Sequence, residues 1–162
     1  MEVTIRPMEW EDIEQVHQID VLSFTLPWPE RSFRFELTEN RSSRLWVAET
    51  VNDAGQRCVA AAVVLWVIED EGHIGTLAVH PNCRRMGIGR RLLAHSLLEI
   101  WREGVRQVFL EVRRGNLAAQ QLYRSFGFIE EGVRPRYYRD TGEDALLMRL
   151  DPVDPDRLQT WL

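Results

Sequence analysis

Between residues 73 and 113 the apolar residues of this chain change their spacing twice. His73–Val79 reads as a strand. Residues 87–103 then carry Ile88, Leu92, Leu93, Leu97, Ile100 and Trp101 at helical spacing. Arg106–Arg113 returns to a period of two, with Val108, Leu110 and Val112 on one face and Phe109 and Glu111 on the other. Pro81 ends the first strand, and Gly104 is a natural stop for the helix. A strand, a helix and a strand in that order predict a parallel pair joined by a right-handed crossover. Strands paired in that way should be buried on both faces, and that expectation extends to Glu111.

The segments around this unit limit the architecture further. Val3-Thr4-Ile5 is a short strand closed by Pro7, and residues 9–24 form an amphipathic helix with Ile13, Val16, Ile19 and Leu22 inward. Pro27-Trp28-Pro29 breaks the chain before a second short helix that carries Phe33 and Leu37 and ends near Asn40. Leu45–Val51 and Arg57–Ile68 are β-rich, with the hairpin signal Asn52-Asp53-Ala54-Gly55 between them. A second turn, residues 69–72, leads into His73–Val79, so three consecutive strands run antiparallel. Asn116 is a good N-cap for a helix that runs through Leu122 and Tyr123 to Phe126, with Gly127 at its stop. On that helix Leu122 and Phe126 form the stripe and Tyr123 borders it. Residues 128–133 and 143–150 close the fold as strands. The expected class is a mixed α/β sheet in one domain over residues 1–150, with residues 151–162 as a tail that carries no functional signal.

Composition excludes several chemistries. The chain has 162 residues, 44% of them hydrophobic and 28% charged, which suits a soluble globular protein. Every one of the 20 basic side chains is Arg. That excludes Schiff-base chemistry and a lysine-dependent phosphate loop, and coding bias is its simplest cause. Two cysteines, Cys58 and Cys83, make neither a disulfide framework nor a zinc site, and no metal is expected. No leader or membrane-length apolar run is legible, so the expected location is the cytoplasm, with no membrane partner. Net charge is −5, yet residues 1–80 hold fourteen acids against six Arg and residues 81–162 eleven against fourteen. The positive charge gathers at Arg84, Arg85, Arg90 and Arg91, which suits a small polyphosphate and not a nucleic acid.

That cluster frames the strongest local motif, Arg84-Arg85-Met86-Gly87-Ile88-Gly89-Arg90-Arg91. It lies between a strand end and a helix start, where free N–H groups and the helix dipole attract anions. An ordinary glycine turn flanked by solvated Arg is the competing reading. A dinucleotide fingerprint is disfavoured, because Leu92 stands where its third glycine belongs. Glu111, mid-strand, either borders a cleft or is an exposed or Arg-paired strand carboxylate. Tyr123 is edge-of-core packing unless its hydroxyl faces the same cleft as Glu111 and the anion site. His80 is a minor candidate base. Cys83 lacks the His-and-acid context of a nucleophile.

The order of these features resembles the GCN5-related N-acetyltransferase family across residues 3–150. The matching pieces are Leu77-Ala78-Val79-His80-Pro81, Arg84-x-x-Gly87-x-Gly89, Leu110-Glu111-Val112-Arg113, Gly115-Asn116, Leu122-Tyr123 and Phe126-Gly127-Phe128. Phe24-x-x-Pro27-Trp28, Tyr137-Tyr138 and Glu143-Asp144-Ala145-Leu146-x-Met148 make it most similar to the bacterial RimI type, which acetylates the N-terminal amine of ribosomal protein S18. The resemblance implies acetyl-CoA as co-substrate, bound where two parallel strands splay. It implies that Leu77, Ala78 and Val79 hold the pantetheine, that Arg85, Met86, Gly87, Ile88, Gly89 and Arg90 cradle the pyrophosphate, and that Asn116 touches the cofactor. It implies Glu111 as general base and Tyr123 as general acid, with Trp28, Tyr137 and Tyr138 at the acceptor. Cys83, Met86 and Pro29 depart from the usual pattern, and Pro29 bears on which amine is accepted. A small amine or a lysine side chain is the alternative acceptor, and a non-catalytic acetyl-CoA sensor is the alternative function.

Overall fold

The computed structural model describes residues 2–162. Its elements are β1 (Val3–Pro7), a 3-10 turn at Trp10–Asp12, α1 (Ile13–Ser23), α2 (Glu30–Thr38), β2 (Ser43–Val51), β3 (Arg57–Ile68) and β4 (Glu71–Val79). A 3-10 turn at Pro81–Cys83 leads to α3 (Ile88–Arg102), β5 (Gln107–Arg113), α4 (Leu117–Ser125), β6 (Ile129–Arg134), β7 (Ala145–Leu150) and α5 (Pro155–Gln159). One seven-stranded sheet runs in the order β1-β2-β3-β4-β5-β7-β6. β4 and β5 are the parallel pair, and the other neighbours are antiparallel. The mixed sheet and the crossover through α3 are as expected.

The sheet has a core on each side. Ile88, Leu92, Leu93, Leu97 and Ile100 of α3 pack with Tyr123, Phe126 and Phe128 on one side. Ile13, Val16 and Ile19 of α1 pack with Phe33 of α2 on the other. β3 lies between the two and is buried from Val59 to Leu65, which explains its unbroken apolar run. Each fully buried Leu or Ile on the α3 stripe contributes about 1.5–3 kcal/mol.

The feature that makes a site is a parting of strands. β4 and β5 pair only at Glu71↔Gln107, Gly72↔Val108 and His73↔Phe109. Beyond His73 the β5-facing edge of β4 has no strand partner, while its other edge stays paired to β3 as far as Val79. A bulge between Val64 and Leu65 leaves Gly75 as the extra residue of β4. A Cβ at Gly75 would stand 2.6 Å from the ring of Trp66, so only glycine lets that ring lie across the bulge.

Several local expectations are corrected. Glu111 is not buried on both faces: its side chain is 32% exposed, on the part of β5 that has left β4. Leu22 points outward at 56% exposure, and the inward position at that end of α1 belongs to Asp20. Tyr123 is within the buried stripe of α4, whereas Leu122 is only partly covered. β4 begins at Glu71, two residues earlier than the turn composition indicates, because Glu69 adopts φ 56 and tightens the reversal. Residues 151–162 pack on the body: α5 contacts α3, with Val153 and Leu158 buried.

Candidate active site

β7 separates β6 from β5, and the strand gap opens into two clefts that share β4. The first, of about 700 Å³, is lined by Leu77, Ala78 and Val79 of β4, the turn residues Arg85, Gly87, Ile88, Gly89 and Arg90, and Asn116 and Tyr123 from the α4 side. The second, of about 640 Å³, is lined by Trp28, Glu111, Tyr137 and Tyr138. His73, Ile74 and Gly75 of β4 line it as well, so Thr76 is the only β4 residue between the linings of the two clefts.

The first cleft is built for an anion joined to an extended chain. Gly87, with φ +78, precedes α3 in the left-handed region, and Arg85 adopts φ 64 two residues earlier. Left-handed residues in such a turn can gather successive N–H groups into an anion-binding concavity. The N-cap of α3 supplies no side-chain acceptor, so the first-turn donors stay open to a ligand. Arg84 is taken up structurally, its Nε donating to the Val79 carbonyl at 3.0 Å and Nη2 to the Ser23 hydroxyl at 3.1 Å. Met86 is 55% exposed at the tip of the turn and is not among the residues lining the cleft, so the structure does not bring its side chain to the site.

Asn116 caps α4, its Oδ1 accepting the Ala119 N–H at 3.2 Å, while also lining the cleft. Tyr123 is 7% exposed and stands edge-on to Phe128 at 5.6 Å between ring centres. Burial pushes its phenol well above the ordinary range, so it is protonated at neutral pH and able to donate. His80 accepts the Asn82 N–H at 3.1 Å and caps the 3-10 turn. Cys83 lines the cleft, and burial raises its thiol pKa, the wrong direction for a nucleophile.

The second cleft gathers a carboxylate, aromatic walls and hydroxyls. Arg134 Nη1 lies 3.5 Å from Glu111 Oε1. The neighbouring Glu111 carboxylate raises the pKa of Tyr137. Tyr138 meets Tyr137 edge-on at 5.1 Å and is pushed up to about 12, chiefly by burial. The guanidinium of Arg113 stands 4.0 Å over the Tyr138 ring and binds Asp140 at 2.8 Å, fixing the β6–β7 loop. Thr25, from the α1–α2 loop, donates to the same Asp140, so the two loops are joined.

Trp28 is positioned by Asp20, whose Oδ2 accepts its backbone N–H at 2.7 Å, and it stacks on Trp66 at 6.0 Å. Asp20, Trp66, His73, Phe109 and Arg134 were not among the residues expected here. Of these, Arg134 lies near one sequence motif, the Tyr137-Tyr138 pair that begins three residues later. No group of three or more metal-binding side chains occurs among the described residues.

A family model described as Acetyltransferase (GNAT) family matches residues 13–128. A putative ribosomal protein bS18-alanine N-acetyltransferase of Bacillus subtilis is 38% identical over 145 residues, which is 89% of this chain and 92% of that protein. The N-alpha-acetyltransferase RimI of Mycobacterium tuberculosis is 37% identical, covering 94% of this chain and 95% of that protein. The crystal structure of the ribosomal-protein-S18-alanine N-acetyltransferase from Escherichia coli superposes with a TM-score of 0.82 at 32% identity, covering 94% of this chain and 95% of that one. The strand gap, the anion turn at α3 and these matches agree: the chain belongs to the GNAT acetyltransferase family and is an N-acetyltransferase.

Proposed function

We propose that the chain transfers the acetyl group of acetyl-CoA directly to the α-amine of a protein N-terminus, with Glu111 as general base and Tyr123 as general acid. One observation carries this reading: a carboxylate and a protonated phenol line two clefts whose β4 linings are separated by the single residue Thr76, on the stretch of β4 that has parted from β5. Acetyl-CoA supplies a thioester whose leaving group is a thiolate.

The residues of the first cleft fit that molecule. Open N–H groups at the start of α3 and the Arg85 and Arg90 guanidinium groups suit a pyrophosphate. The unpaired edge of β4 at Leu77, Ala78 and Val79 suits the amide-bearing pantetheine, which can hydrogen-bond there as an added strand would. The side chain of Met86 takes no part, and Asn116 acts from the opposite wall.

An α-amine has a pKa of about 8 and is mostly protonated at pH 7, so attack requires a proton acceptor. Glu111 takes that role directly or through one water. Tyr123 donates toward the sulfur as negative charge develops there. A phenol above pKa 10 is a weaker acid than a thiol of about 8.5, so its contribution is greatest as a hydrogen bond in the transition state. Each role is worth about 10²–10⁴ in rate.

Trp28, Tyr137 and Tyr138 form the acceptor entrance, the relatives named above support an S18-like N-terminus as the substrate, and a ribosomal-protein substrate is consistent with the cytoplasm as the compartment. The test is a scan with labelled acetyl-CoA over N-terminal peptides, peptides with an internal lysine and free amines. Preferred turnover of free N-termini supports the reading. Equal turnover of lysine side chains sinks it in favour of a lysine acetyltransferase. Acetyl-CoA binding without turnover of any amine identifies a sensor.

A further inference from the structure

Arg90 lies in the first turn of α3 with its guanidinium carbon 4.5 Å above the ring of Trp161. It takes part in no ion pair or hydrogen bond identified among the described residues. Stacking occupies only the face of a guanidinium and leaves its in-plane N–H donors available. Trp161 is held firmly. It packs against Phe126 at 5.9 Å, and its backbone N–H donates to the Leu158 carbonyl at 3.1 Å. α5 is fixed in turn by Asp154 at its N-cap and by Arg157, which donates to the Ser125 carbonyl at 2.8 Å.

The indole N–H of Trp161 is buried without an acceptor. Phe or Leu would fill the same space without that cost. What the indole adds is its face, which attracts a cation more strongly than any other side-chain ring.

We propose that residues 151–162 complete the cofactor mouth, with Trp161 as a positioning residue that keeps the Arg90 guanidinium stacked and its donors ready for the phosphates of acetyl-CoA. This rests on the reading of the Arg85–Arg90 turn as the pyrophosphate site. An exposed cation–π contact is small, so losing it is expected to weaken acetyl-CoA binding about two- to five-fold.

The test measures KM and kcat of the full chain with acetyl-CoA and with S-acetylpantetheine, which carries the same thioester and no phosphates. Trp161→Ala is expected to raise KM for acetyl-CoA two- to five-fold with little change in kcat, and to leave KM for S-acetylpantetheine unchanged. Trp161→Phe, whose ring face attracts a cation less strongly, should recover only part of the loss. Added to Arg90→Gln, Trp161→Ala should have no further effect. If Trp161→Ala does not fold, Trp161→Leu keeps the packing, removes the ring face and should give the same rise. An unchanged KM for acetyl-CoA, or equal rises with both thioesters, overturns the proposal. If Arg90→Gln itself leaves KM for acetyl-CoA unchanged, the reading of Arg90 as a phosphate contact has failed instead.

Discussion

Arg134 Nη1 stands 3.5 Å from Glu111 Oε1, so the carboxylate assigned as base already faces a cation before any amine arrives. An incoming ammonium has to share that carboxylate or displace Arg134. The pair is largely exposed, with side chains 56% and 32% accessible, so it is worth at most about 1 kcal/mol. Arg134→Gln is therefore expected to lower the acceptor KM, by no more than about five-fold, with KM for acetyl-CoA unchanged. Steady-state kinetics with an N-terminal peptide checks this, and a higher acceptor KM would show that Arg134 binds the substrate.

Tyr123→Phe removes a hydroxyl for which no hydrogen bond to another protein group is identified, and the buried ring and its contact with Phe128 remain. Stability should stay within about 0.5 kcal/mol of the parent. Turnover should fall about 10²- to 10⁴-fold. Thermal melting and single-turnover assays measure the two effects separately, and a retained rate contradicts the role of the phenol.

Asp20 is 2% exposed, and burial raises its pKa above the usual carboxylate range. A raised folded-state value favours folding at pH below the unfolded value, about 3.9, and this contribution is lost as pH rises through the folded value. Asp20→Asn keeps an acceptor for the Trp28 N–H and removes the buried charge. Its melting temperature relative to the parent should therefore climb between pH 4 and pH 7. Asp20→Ala strands the Trp28 N–H, at a cost of about 1–3 kcal/mol, and should raise the acceptor KM. A difference between Asn and parent that does not vary with pH would refute the assignment.

Asp140 joins Arg113 to Thr25, and these partners hold its carboxyl at about 2. A depressed carboxylate contributes above the ordinary value of about 3.9, and this is lost as pH falls toward 2. Asp140→Asn is expected to loosen residues 135–144 at neutral pH, seen as faster proteolysis there and a several-fold higher acceptor KM. Unchanged cleavage would show that the loop is held by other contacts.

The legible parts of the chain were those with local causes. The Asn116 cap, the Gly87 turn and the apolar stripe of α3 follow from neighbours in sequence, and each stands where its residues indicated. Three features had no local signal. β7 inserts between β5 and β6, a pairing decided by long-range packing. Glu111 was expected inside the sheet because parallel strands are normally covered, but the strands part after three residue pairs and leave it open. The structural use of residues 151–162 depends on Trp161 meeting Arg90, far away in sequence. Met86 fell inside the anion motif by order alone, and its side chain points out to solvent.

The central claim is that Glu111 removes the proton from an acceptor amine. The most direct measurement is turnover of an N-terminal peptide by Glu111→Gln, with acetyl-CoA affinity determined on the same preparation. The expected result is unchanged acetyl-CoA binding and a kcat/KM about 100-fold or more below the parent. A kcat/KM equal to that of the parent would contradict the account.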